Sequence, residues 1–140
     1  MAGSKSAYLE AALLDYVLSG TSYTPPGTVY FALSTAAFDT SSDGTSMTEV
    51  TGGSYARQSQ TNNATNWPAA TGGNPAVKAN GLAATFPTAT ANWGTVLSVY
   101  LVDASSGGNV LYGADLAASV VVNSGSGFAI PIGQFVLSET

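Results

Sequence analysis

Residues 95 to 104, TVLSVYLVDA, are apolar on both alternating faces, with Leu97, Val99 and Leu101 on one and Val96, Tyr100 and Val102 on the other. A strand of this kind offers no face to water, so it belongs in the middle of a sheet that is covered on both sides. That requirement favours a layered, sheet-based fold with this segment at its centre.

The surrounding sequence supplies more strands. In YTPPGTVYFALST, residues 23 to 35, a Pro-Pro-Gly break precedes an extended run in which Val29, Phe31 and Leu33 share a face. A short strand is expected over residues 54 to 60. Residues 76 to 79 and 82 to 86 flank Asn80-Gly81, a dipeptide suited to a two-residue hairpin turn because both positions tolerate positive φ. A turn and short strand follow over 105 to 114, another strand over 119 to 123, and one or two more over 127 to 137, around Pro131 and Gly133. Residues 61 to 75 hold too many Asn, Gly and Pro for regular structure beyond a short strand, and Trp67 is their expected anchor. Asn63-Ala64-Thr65 reads as a turn rather than a glycosylation acceptor. Seven to nine short strands without a repeat predict a mainly β protein, a jelly-roll-like β-sandwich forming a single domain over residues 1 to 140.

One helix is expected, over residues 6 to 18. Leu9, Ala12, Leu13, Tyr16 and Val17 recur at three- and four-residue intervals on one face, Ser6 can cap the first turn, Glu10 lies near the positive end of the dipole, and Ser19-Gly20 supplies a stop. Three turns are too few to be stable alone, so the stripe must dock on a sheet or on a neighbouring subunit.

Charge narrows the function classes. Only 8% of residues are charged, the three cations are Lys5, Arg57 and Lys78, and the net charge is −5. Nucleic-acid binding needs clustered cations to displace phosphate counterions and is not expected. No run of about 18 apolar residues and no secretory signal pattern occurs, so a membrane span is not expected and the chain reads as soluble and made in the cytosol. The absence of cysteine removes disulfides, thiolate nucleophiles and thiolate metal sites.

Catalysis is equally poorly provided for. There is no histidine, and the carboxylates Glu10, Asp15, Asp39, Asp43, Glu49, Asp103, Asp115 and Glu139 are scattered. No catalytic, cofactor-binding or metal-binding residues are expected, and the chain reads as a non-enzyme. In DTSSDGTSMTE, residues 39 to 49, the alternation of Asp39, Ser41 and Asp43 before Gly44 opens like a calcium loop. Val50 then stands where a bidentate Glu is needed and Glu49 is one residue early, so the segment reads as a polar turn in a long loop spanning 39 to 53, a candidate contact or flexible element. Gly52-Gly53 and Gly107-Gly108 lack the lysine of a phosphate loop. Tyr23, Tyr30, Phe31, Tyr55, Trp67, Phe86, Trp93 and Tyr100 invite comparison with a sugar platform, but core packing and subunit contacts account for most of them. Arg57, the single arginine, reads as a solvated charge on a strand face, with a carboxylate held across an interface as the alternative.

Several ordered segments carry a resemblance: residues 8 to 35, GGSYARQ (52 to 58), TNNATNWP (61 to 68), NGLAATFPTATANWGTV (80 to 96) and DASSGGNVLYG (103 to 113). In this order they resemble the small virion proteins of tailed phages often labelled tail-fibre-like, which include capsid cementing (decoration) proteins such as those of Bordetella short-tailed phages. The resemblance implies a jelly roll on the outer capsid surface, the major capsid protein as partner, and a homodimer. A tail-fibre or receptor-binding module recognising host glycan is the alternative, and the family has no signature catalytic residues.

Overall fold

A computed structural model describes residues 1–139. The elements are β1 (Ala2–Lys5), α1 (Ala7–Leu18), β2 (Thr28–Ser34), β3 (Gln58–Thr61), β4 (Ala76–Ala79), β5 (Ala84–Thr85), β6 (Gly94–Val102), β7 (Val110–Val122), β8 (Ala129–Ile130) and β9 (Val136–Glu139). Seven strands form one sheet in the order β3-β2-β6-β7-β1-β9-β4, while β5 and β8 pair as a separate ribbon. All pairings are antiparallel except β1 with β9. The large sheet curls as a half-barrel, and the ribbon adds Ala84 and Ile130 to the same core as Phe31, Val96, Val99 and Phe135. The result is a mainly β, jelly-roll-like sandwich of unequal layers with one short N-terminal helix.

Strand β6 is an interior strand, third of the seven and next to the middle strand β7, with β2 on its other edge. Its two faces divide differently from the expected alternation. A bulge between Val96 and Ser98 shifts the phase, because one extra residue exchanges the faces of a strand. Val96 therefore joins Val99 and Leu101 in the main core, Leu97 is left 37% exposed, and Tyr100 and Val102 pack on the other face with Ala32, Met47 and Val110. In β2 the simple alternation holds, and Val29, Phe31 and Leu33 are buried together.

Four other expectations are corrected. The strands expected over 105 to 114 and 119 to 123 are one continuous β7. Val96 pairs with Val120 and Ser98 with Asp115, so residues 116 to 119 have no partner on β6 and form the long side of the bulge. Residues 54 to 57 are irregular and β3 begins at Gln58, since Gly52, Gly53 and Ser54 all take positive φ. Strand β1 carries no β-branched residue to announce it, yet it inserts between β7 and β9, where a Cβ on Gly3 would stand 2.6 Å from the Gly113 carbonyl oxygen.

Asn80-Gly81 does not turn a hairpin. β4 pairs with β9 and β5 pairs with β8, so the dipeptide instead carries the chain from the large sheet to the ribbon. Asn80 is 2% exposed, and its amide nitrogen donates to the carbonyls of Leu82 and Pro131 while its amide oxygen accepts from the Phe135 N–H. A Cβ at Gly81 would lie 2.7 Å from the Thr65 carbonyl oxygen, so close approach explains this glycine. Asn80→Ala strands the Phe135 N–H, while the Leu82 and Pro131 carbonyls keep Gln60 Nε2 and the Gln134 N–H as donors, and a loss of about 2 kcal/mol is expected. Urea unfolding measures it, and a loss below about 1 kcal/mol would contradict this role for the side chain.

Candidate interaction surface

Each end of α1 is built as the sequence indicates. Ser6 is buried and accepts from the Leu9 N–H at 3.1 Å, while its hydroxyl donates to the Val110 carbonyl and ties the helix start to β7. At the other end Ser19 is the C-cap, and Gly20 follows at φ +65°. The apolar stripe docks only in part: Leu9 is buried and Ala12 and Leu13 are half-buried, but Tyr16 and Val17 are exposed. Leu14 and Leu18, which lie off that stripe, are exposed as well, at 62% and 81%. The signal for this surface was present in the sequence as a helix apolar on every side, with only Glu10 and Asp15 charged.

Behind the helix a groove of about 380 Å³ opens between α1 and the sheet. Val29, Leu101, Leu111 and Leu137 line it together with Leu9, Leu13, Trp67, the Pro25-Pro26 segment and β4. Tyr112 also lines it, and burial pushes its phenol up to about 12. A second apolar area lies around the β7 bulge, where Ala117, Ala118, Val120 and Val121 are exposed and Leu116 is half-buried. Ala129 and Pro131 line the same shallow depression, and Ile132, the next residue after Pro131, is 62% exposed. The linings of the groove and the depression share no residue.

Lys78 and Glu139 line the groove and Glu10 and Asp15 stand on α1, while most of the other charged residues are engaged elsewhere. Arg57 is neither a solvated strand-face charge nor free to reach a partner: its side chain is 4% exposed. Nε and Nη2 donate to the two oxygens of Glu49 at 2.8 Å each, Nη1 donates to the carbonyls of Ala104 and Gly107, and Nη2 also reaches the Gly44 carbonyl. Tyr55 donates its hydroxyl to the same Glu49 carboxylate. This network joins the 39 to 53 loop to the turn between β6 and β7, and a Cβ on Gly44 would stand 1.9 Å from the Gly107 carbonyl oxygen. The loop is thus pinned along its inner side rather than hanging free.

Within it, Asp39 accepts from the Ser41 N–H and hydroxyl, and Asp43 accepts from the Thr45 N–H and hydroxyl and the Ser46 N–H. These bonds make polar turns, and the Thr45 hydroxyl above all holds the Asp43 carboxyl down at about 2. Asp103 accepts from Asn109, Asp115 from the Phe38 N–H, and Glu139 from Lys5. Among the described residues no three His, Cys, Asp or Glu side chains gather as a metal cluster, and no helix is long and apolar enough to cross a membrane.

Phe31, Trp67, Phe86, Trp93 and Tyr100 are buried, Tyr55 packs against Phe86 and Trp93, and Tyr23 and Tyr30 are half-buried. The aromatic set thus serves the core: Phe31 meets Trp67 and Phe135 at centroid distances of 6.0 and 5.2 Å. Asn63 accepts from the Thr65 and Asn66 N–H groups as a turn residue.

The family model described as "Podophage GP4 fiber I protein gp80" matches residues 4–138. The chain belongs to the podophage GP4 fiber I protein gp80 family. No curated protein matches it. As a member of the gp80 family it is a bacteriophage structural protein, a component of the virion. The match covers all nine strands in whole or part as well as α1, so the surfaces described above fall within the family's own span.

Two outcomes follow for the loop. Arg57→Lys cannot reproduce a planar fork with five hydrogen bonds, and a loss of about 2–3 kcal/mol with faster proteolysis between residues 39 and 53 is expected; unchanged stability and cleavage would contradict the staple. Because the Asp43 pKa is depressed on folding, its contribution is present above the ordinary carboxylate value and lost as pH falls through about 2. NMR of the Asp43 carboxyl carbon should show that low midpoint, whereas one near 4 would mean the turn bonds are not formed in solution.

Proposed function

We propose that this phage structural protein is a capsid cement that decorates the outside of the shell by bridging major capsid protein subunits. The observation that carries the reading is the pair of separate apolar surfaces, α1 with its groove and the β7 bulge, on a body whose charged side chains largely hold its own loops. A bridge needs two contact surfaces, and exposed patches of this kind are where a soluble chain meets partners. The protein acts by adding buried area across joints between shell subunits, not by catalysis, and its surface is ill suited to nucleic acid.

Burial at about 25 cal/mol per Å² gives each joint several kcal/mol gross, much of it offset by lost rigid-body freedom. Repetition over a shell multiplies the remainder. Contacts of this type depend little on counterions, so retention on particles should stay level between low salt and about 1 M NaCl. Stripping by salt alone would contradict an apolar attachment.

The family description contains the word fiber, which favours a second reading as a tail-fibre or receptor-binding module. Copy number separates the two. Quantitative mass spectrometry of purified virions is expected to give a simple lattice ratio to the major shell protein, and a handful of copies per particle would replace the cement reading with the fibre one.

A further inference from the structure

We propose that the groove between α1 and the sheet receives an apolar peptide segment of a shell subunit that carries a carboxylate, with Lys78 and the Trp67 indole N–H as the groups that anchor it. The inference rests on the cement reading for the source of the segment and deepens it by naming the chemistry that one of the two surfaces accepts.

The groove exists because several elements meet without closing. α1 contributes Leu9 and Leu13, the sheet contributes Leu101, Leu111 and Leu137, and the segment holding Pro25 and Pro26 lines the groove without joining a strand, having no proline N–H to offer one. Its volume of about 380 Å³ falls within the range of roughly 300–1,000 Å³ typical of ligand sites, and an almost wholly apolar lining of that size favours an apolar guest over water.

Charge gives the guest a polar end. Of the three cationic side chains, Lys5 pairs with Glu139 and Arg57 with Glu49, whereas Lys78 meets no carboxylate among the described residues and donates to the Pro68 carbonyl. Lys78 and Glu139 both line the groove, and Lys5 already answers Glu139, so one uncompensated positive charge remains there on a chain of net charge −5. Glu10 and Asp15 of α1 are not part of the lining. A carboxylate is the group that complements this balance.

Two unmet hydrogen bonds point the same way. Trp67 lines the groove at 6% exposed, and its Nε1 donor is buried without a partner. It directly precedes the Pro68 whose carbonyl holds Lys78, so the indole and the ammonium belong to the same stretch of wall. Glu139 Oε1 is the converse, a buried acceptor without a donor. Unmet buried groups are costly, and a guest that supplies an acceptor and a donor together removes both costs. A peptide offers carboxylate, carbonyl and N–H on one apolar chain; a fatty acid at neutral pH offers no donor.

NMR titration of the full chain with N-octanoylglycine, its uncharged amide and octanoate reads this chemistry directly. N-octanoylglycine should bind at least about 10-fold more tightly than either of the others, shift the Leu9, Leu13 and Leu137 methyls, and move the Trp67 indole proton downfield. Lys78→Met, which keeps an apolar stem, should abolish the preference over the uncharged amide. Equal binding of the acid and its amide, or binding of none of the three, would overturn the site, and octanoate matching N-octanoylglycine would overturn the peptide as its occupant. The comparison on the unaltered chain needs no variant to fold. On virions, Ala70→p-benzoylphenylalanine places a photocrosslinker at an exposed residue of the lining, and the expected product joins it to an apolar, acid-containing peptide of the major capsid protein. A crosslink to another copy of this chain, or none, would overturn that occupant. The titration uses no capsid, so its failure leaves the cement reading to be judged by copy number on particles.

Discussion

Strand β6 is buried over most of its length and paired along both edges, and the other parts of the fold take their places from it. Through Val96, Val99 and Leu101 it meets the main core under the ribbon and the aromatic loops. Through Tyr100 and Val102 it meets Ala32, Met47 and Val110, and the Tyr100 hydroxyl accepts from the Asp39 N–H at the start of the long loop. The bulge where it pairs with β7 sets both phases. It also forces residues 116 to 119 of β7 out of register, so the same local irregularity that keeps Val96 inside produces an exposed apolar surface outside.

Scarcity of charge explains the character of that outside. Most of the carboxylates are occupied by local donors: Glu49 by Arg57 and Tyr55, Asp103 by Asn109, Asp115 by the Phe38 N–H, and Asp39 and Asp43 by their own turns. Electrostatic capacity is thus used to fix loops over the sheet rather than to attract a ligand. What remains for contact is hydroxyl, amide and apolar surface, a composition that suits a protein of the gp80 family, whose members are parts of a particle. A long-lived assembly covers such surface where a free monomer would leave it wet.

Much of the fold was legible because it rests on local chemistry. The buried strand β6, the face shared by Val29, Phe31 and Leu33 and the capped helix follow from periodicity and capping alone, and Trp67 stands out as the large apolar anchor of an irregular segment. What was hidden depends on long-range pairing. Asn80-Gly81 has ideal hairpin chemistry, but β9 and β8 compete for its two flanks and turn Asn80 into a buried junction. Arg57 looked solvated because nothing nearby in sequence shows that the Ala104 and Gly107 carbonyls close around it. Periodicity marks one apolar stripe on the helix, but Leu14 and Leu18 on the opposite side are apolar and exposed as well, and this is visible in the residues.

The central claim is that the outward side of α1 and the β7 bulge are covered when the protein is in its particle. Hydroxyl-radical footprinting with mass spectrometry, run on the purified chain at low concentration and on intact virions, tests it most directly. Leu14, Tyr16, Leu18, Val121 and Ile132 should be oxidised in the free chain and strongly protected in the virion. Equal oxidation of these residues in both samples would contradict the account.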